Sequence, residues 1–144
     1  MVPTMSASPF ARYQRLPGNR RRLLRQAAFF LILASAAAAF LPFQRAISFG
    51  SVARRKSPQS PPEDVVWAVE AAARHIPWRT VCMQKGLAAQ RMLRSAGVDA
   101  MLHYGVRNDP ESRRLEAHVW VTVDGRPIIG GDAAAGFASV ATFP

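Results

Sequence analysis

The chain has 144 residues, 49% of them hydrophobic, with a formal net charge of +10, one cysteine and three histidines. That length holds one domain, or a small domain with a tail, and leaves no room for a second catalytic domain. A lone cysteine rules out an internal disulfide framework. With His75, His103 and His118 scattered along the chain, it also argues against a zinc site, whose ligands come several together at short spacing.

The charge is unevenly divided: residues 1–62 hold ten Lys or Arg and no acid, whereas residues 63–144 hold nine basic and nine acidic residues. The basicity belongs to an N-terminal segment and the remainder is neutral, which argues against a nucleic-acid partner for the domain. Residues 1–19, broken by prolines and without an apolar period, read as a disordered lead-in. Residues 20–53 read as a basic and apolar helical segment that opens "RRRLLRQAAFFLILASAAAAFLPF". Its apolar run from Ala27 to Leu41 is ended by Pro42, and its fifteen residues fall short of the ~20 that span a bilayer as a helix. Basic residues, an apolar stretch and small residues in that order also imitate a signal peptide. Three readings stand for residues 20–43: a helix that packs on the domain or dimerises, a membrane contact, or an export signal.

Residues 54–62, "RRKSPQSPP", form a proline-rich linker in which no helix persists, and the domain proper is expected over 63–144. "EDVVWAVEAAARHI" places Val65, Val66, Val69, Ala72, Ala73 and Ile76 near a 3.6 period with two acids in the first turn, and predicts an amphipathic helix that Pro77 stops. A second helix is expected from about Val81 to Ser95, with Leu87, Met92 and Leu93 on its apolar side and Gly97 as its stop. The period then changes. Strands are expected over Ala100 to Val106, in "LEAHVWVTV" and in "RPIIGG", with "RNDPES" as a turn and Asp124-Gly125 as a two-residue hairpin. Helices followed by an antiparallel meander give an α+β domain.

Cys82 stands in the first turn of the second helix, and His118 follows 36 positions later inside a strand. A thiol attacks as the thiolate, which a helix N-terminus and a neighbouring imidazolium both favour, so this is the order of parts a cysteine nucleophile and its base need. Alone, such a cysteine is more often a small buried hydrophobe than a nucleophile, and His118 beside Trp120 suits a core histidine. The hairpin adds a third residue. With Asp124 and Gly125 as the loop, Val123 faces Arg126, and five steps outward His118 faces Gly131. Asp132 is next to that position and within reach of the ring after a small bulge or twist, as the orienting member of a triad would be. Asp124, at the hairpin tip, reads as a turn residue. His103 has no partner arrangement, His75 caps a helix end, and Arg79, Lys85 and Arg91 are cations near the thiol or on a solvated helix face.

Taken together, "HIPWRTVCMQKGLAAQRMLRSAGVDAMLHYGV" and "EAHVWVTVDGRPIIGGD" resemble the transglutaminase-like B proteins of lasso-peptide biosynthesis, the leader peptidases of that pathway. The resemblance covers residues 63–144, and "FLPFQRAISFG" is similar to the family's N-terminal helical region. It implies a papain-like or transglutaminase-like cysteine protease core, with N-terminal helices packed on a small antiparallel sheet, and a triad carried onto Cys82, His118 and Asp132. It also implies acyl transfer at the leader-core junction of a ribosomally made precursor, with no cofactor. The family's leader-binding module is not visible in residues 1–62, so a separate leader-recognition protein is an expected partner. So is an ATP-dependent lasso cyclase, because this chain has no phosphate-binding glycine loop. A cytoplasmic location follows, membrane-associated if residues 20–43 touch lipid. Two other readings remain: amide transfer or deamidation by the same triad, and a membrane-tethered, non-enzymatic scaffold of a processing complex.

Overall fold

The computed structural model describes residues 8–51, 60–78 and 82–144. Among them the chain forms helices α1 (Pro9–Arg15), α2 (Gly18–Phe40), α3 (Phe43–Ile47), α4 (Pro62–His75) and α5 (Cys82–Ser95). Four strands follow, β1 (Ala100–Asn108), β2 (Leu115–Val123), β3 (Arg126–Ile129) and β4 (Ala138–Phe143), with a 3-10 turn at Gly131–Ala133 between the last two.

Within the expected lead-in, residues 1–7 lie outside the described residues, and residues 9–15, read as disordered, are helical. Ser8 caps α1 by accepting the Ala11 N–H at 3.2 Å, and Pro9 occupies the first turn, where its missing donor costs nothing. No residue of α1 is fully buried, although Ala11 and Tyr13 are half-buried. Of the linker, residues 54–59 lie outside the described residues, while Pro61 and Pro62 form the N-cap and first turn of α4. Glu63 and Asp64 follow in that turn, and at the other end His75 Nδ1 lies 2.7 Å from the Ala71 carbonyl, closing the helix as its position suggested. Helix α5 ends in a Schellman pair, Val98 N–H to Leu93 O at 2.9 Å and Gly97 N–H to Arg94 O at 3.1 Å, so Gly97 is its stop.

Helix α2 starts earlier than its apolar run, at Gly18, and reaches 23 residues. By length and composition it could cross a membrane. One side of it is nevertheless part of the domain: Leu23, Ala27, Leu31 and Ala34 are buried in the same cluster as Val65 and Val69 of α4 and Leu87 and Leu93 of α5. Alanines on the facing helices let the backbones approach closely, and the three helices form one layer of the core.

The other layer is a single antiparallel sheet in the order β3-β2-β1-β4. Asp124 and Gly125 link β2 to β3 with φ of 51° and 76°, the left-handed pair of a type I′ hairpin, which assigns Asp124 to the turn. Strand β4 is an element the sequence patterning did not suggest. It pairs with the free edge of β1, and Gln90 of α5 fastens it by donating from Nε2 to the Phe143 carbonyl at 2.8 Å. Helix α5 seats on the sheet through Gly86. A Cβ there would lie 2.8 Å from Val119 Cγ1 and 3.0 Å from Leu102 Cδ1, so the backbone is flush with β2 and β1.

Candidate active site

Cys82 is the first residue of α5, half-buried, reduced and packed against the edge of the core. Its position follows from the seating of the helix. Gly86, one turn later, lies on Val119 and Leu102, and Gln90, a further turn on, reaches the Ala100 and Phe143 carbonyls. The helix therefore runs diagonally from β2 across β1 towards β4, and its N-terminal turn points back to the β2–β3 side. At that first position the Cys82 N–H has no intrahelical acceptor and faces outward along the helix dipole.

His118 comes to the same side from β2. Strand alternation turns Val119 and Val121 to the helices and His118 and Trp120 to the opposite face. The His118 ring stacks on Trp120 with centroids 6.0 Å apart and tilts against Phe137 at 5.3 Å. Trp120 in turn stacks on His103 at 5.4 Å, so a nearly buried indole lies between two imidazoles. Cys82 thus belongs to the helix layer on one face of the sheet while His118 lies on the other face, and among the described residues no hydrogen bond joins them.

The ring of His118 is held by the backbone. Its Nε2 lies 2.7 Å from the Gly130 carbonyl oxygen, and since a carbonyl only accepts, Nε2 carries the proton and Nδ1 is left as the basic nitrogen. The local fold explains why a carbonyl is there. The hairpin pairs Val123 with Arg126 and Thr122 with Pro127, but then Val121 with Ile129, so Ile128 is an extra, bulged residue. One step further Gly130 takes φ of 72°, ends the ladder and turns its carbonyl onto the imidazole. A side chain at Gly130 would be strained by that φ and would crowd the Val119 carbonyl at 2.8 Å.

Asp132 lies two residues beyond, exposed, in the 3-10 turn. Among the described residues its carboxylate has no hydrogen-bond partner, so it stands near His118 in sequence without holding the ring. The cations named beside Cys82 are accounted for separately. Lys85 pairs with Glu70 at 3.2 Å, and Arg91 donates to the Phe49 carbonyl at 3.0 Å and lies over the Phe49 ring at 4.6 Å. Arg79 is outside the described residues. Among the described residues no three His, Cys, Asp or Glu side chains converge as metal ligands do. The Gly130 carbonyl and Phe137 were not named from sequence. The Gly130-Gly131 pair is the visible signal for the first, and the aromatic at the entry to β4 for the second.

His103 has Nε2 2.8 Å from Thr122 Oγ1, and burial holds its imidazole below the ordinary value of 6.5. An imidazole that protonates less readily folded than unfolded makes acid favour the unfolded chain. Stability is full above that ordinary value and is lost as pH falls from it towards the lower folded value. The denaturation midpoint is therefore expected to drop on acidification below about pH 6.5, and His103→Gln is expected to flatten that dependence. An equal slope in both proteins would assign the loss to other groups.

A family model described as the transglutaminase-like superfamily matches residues 19–142, from the start of α2 to the end of the sheet. No curated protein and no solved structure matches the chain.

Proposed function

This chain belongs to the transglutaminase-like superfamily, and from that premise we propose that it is a cysteine peptidase that removes the leader peptide from a ribosomally made lasso-peptide precursor. The observation that carries the reading is a half-buried cysteine at a helix N-terminus and a strand histidine whose Nε2 is fixed by the Gly130 carbonyl, both within one transglutaminase-like domain. The finer identity, the lasso pathway, rests on the sequence resemblance.

The Cys82 thiol gives its proton to His118 Nδ1, and the thiolate attacks the carbonyl carbon of the leader-core bond. The Cys82 N–H stabilises the oxyanion at the helix N-terminus. The imidazolium then protonates the departing core amine, leaving the leader as a thioester on Cys82. His118 next takes a proton from water, which releases the leader acid and restores the thiol. Contacts between nucleophile and base are commonly long before substrate is seated and tighten in the complex, and the proposed reaction requires substrate seating to bring the Cys82 turn and the His118 ring together from the two faces of the sheet. A separate leader-recognition protein presents the precursor, and an ATP-dependent cyclase consumes the freed amine.

In this scheme the tautomer of His118 is set by Gly130, and Asp132 contributes only its charge nearby. Asp132→Asn is therefore expected to slow cleavage less than about tenfold. A carboxylate that held the imidazole itself would be worth ~10⁴-fold. Turnover measured for both proteins decides which group orients the ring.

The proposal is tested by mixing the protein with its precursor peptide and the leader-binding protein and following masses. Separate leader and core masses support it. An intact precursor with all components present would sink it. A leader mass increased by an added amine would favour amide transfer, in which an amine replaces water as acceptor.

A further inference from the structure

Helix α2 is apolar on both sides, and only one side is used by the fold. The inner stripe is buried against α4 and α5, as described. On the other side Arg22, Arg25, Phe29 and Ile32 recur at spacings of three and four, and Leu33 and Phe40, seven apart, share their face. Phe29 is 57% exposed, Ile32 49% and Phe40 85%. A soluble helix over a core ordinarily presents polar side chains outward. Here the outward side has arginines for its first two turns and then an apolar ridge about 16 Å long. Arg20 is committed elsewhere, to Asp64 at 3.7 Å and to the face of Trp67.

Two features choose the occupant. The ridge is convex, the outer face of one helix, and a fluid apolar surface conforms to such a shape without a matching groove. Its charge is also one-sided: residues 1–62 contain ten basic residues and no acid, which complements a surface that is anionic outside and apolar beneath. Crossing the bilayer is a different matter, because it would pull Leu23, Ala27, Leu31 and Ala34 out of the core.

We propose that the outer face of α2 seats this protein on an anionic phospholipid bilayer, lying along the surface with the phenylalanines in the acyl boundary and Arg22 and Arg25 at the headgroups. The seat is independent of the peptidase reading and needs none of its residues.

The test is sedimentation of the full chain with vesicles of phosphatidylcholine containing phosphatidylglycerol, beside vesicles of phosphatidylcholine alone, with thermal melts of every variant. Wild type and Cys82→Ala are expected to bind the anionic vesicles equally, and both to bind less as salt rises. Phe29→Ser with Phe40→Ser is expected to lower partition at least ~tenfold, and Arg22→Gln with Arg25→Gln roughly thirtyfold, each with unchanged melting because all four side chains are exposed. Absence of binding by wild type would overturn the proposal. So would variants that melt like wild type and bind equally well. Loss of a dimer in the Phe variants, without vesicle binding by wild type, would overturn it in favour of a second copy of the chain.

Discussion

Cys82→Ala is expected to reduce precursor cleavage at least ~10³-fold, to the level of peptide and leader-binding protein alone, because without the sulfur no acyl-enzyme forms. His118→Ala is expected to fall nearly as far, and the double variant no further, since nucleophile and base act as one unit and their losses do not add. Cys82 and His118 are both only half-buried, so both proteins are expected to melt close to wild type. The measurement is initial rate by mass spectrometry with a melt alongside. Cleavage by Cys82→Ala at more than a tenth of the wild-type rate would end the peptidase proposal. The scaffold reading, in which the thiol is incidental, would take its place.

Loss of α2 is expected to be the most damaging structural change. Deleting residues 1–43 strips the covering from Val65, Val69, Leu87 and Leu93, and the remaining chain should be insoluble or unfolded. Leu31→Ala probes the same interface with one side chain. Leu31 is fully buried, and truncating such a leucine costs about 2–5 kcal/mol, a large part of the 5–15 kcal/mol that holds a typical domain. Denaturant titration of the point variant and solubility of the truncation check this. A truncated protein that stayed monomeric and melted cooperatively would make α2 an appendage, and the match of the family model from residue 19 would then need another explanation.

Much of the architecture was legible because local chemistry agrees with the fold. The apolar period of α4, the glycine after α5 and the Asp-Gly hairpin each fix an element without help from elsewhere. Three things were not legible, for separate reasons. The outer and inner faces of α2 are both apolar, so periodicity could not say which side faces the core. Strand β4 is a mostly exposed edge whose place depends on the distant β1 and on Gln90. The partner of His118 depended on a count along the hairpin with a small bulge allowed for, and that count could not show where the ladder ends. With regular pairing His118 faces Gly131, and the extra residue shifts the facing position to Asp132. The ladder has already ended by then, and the left-handed turn at Gly130 puts a carbonyl where a carboxylate was expected.

The stack of His118, Trp120 and His103 gives the molecule an optical probe at the proposed base. Indole emission is quenched by a neighbouring imidazolium, and Trp120 has an imidazole on each side, at 6.0 and 5.4 Å. The other two tryptophans differ in kind, Trp67 beneath the Arg20 guanidinium and Trp78 largely in solvent, donating to Ser35 Oγ at 3.2 Å. Emission from the buried indole therefore reports on the placement of both rings, and in the proposed reaction a movement of His118 towards the thiol would change it before a bond is cut. The chain would carry its own label for the step that precedes the proposed chemistry.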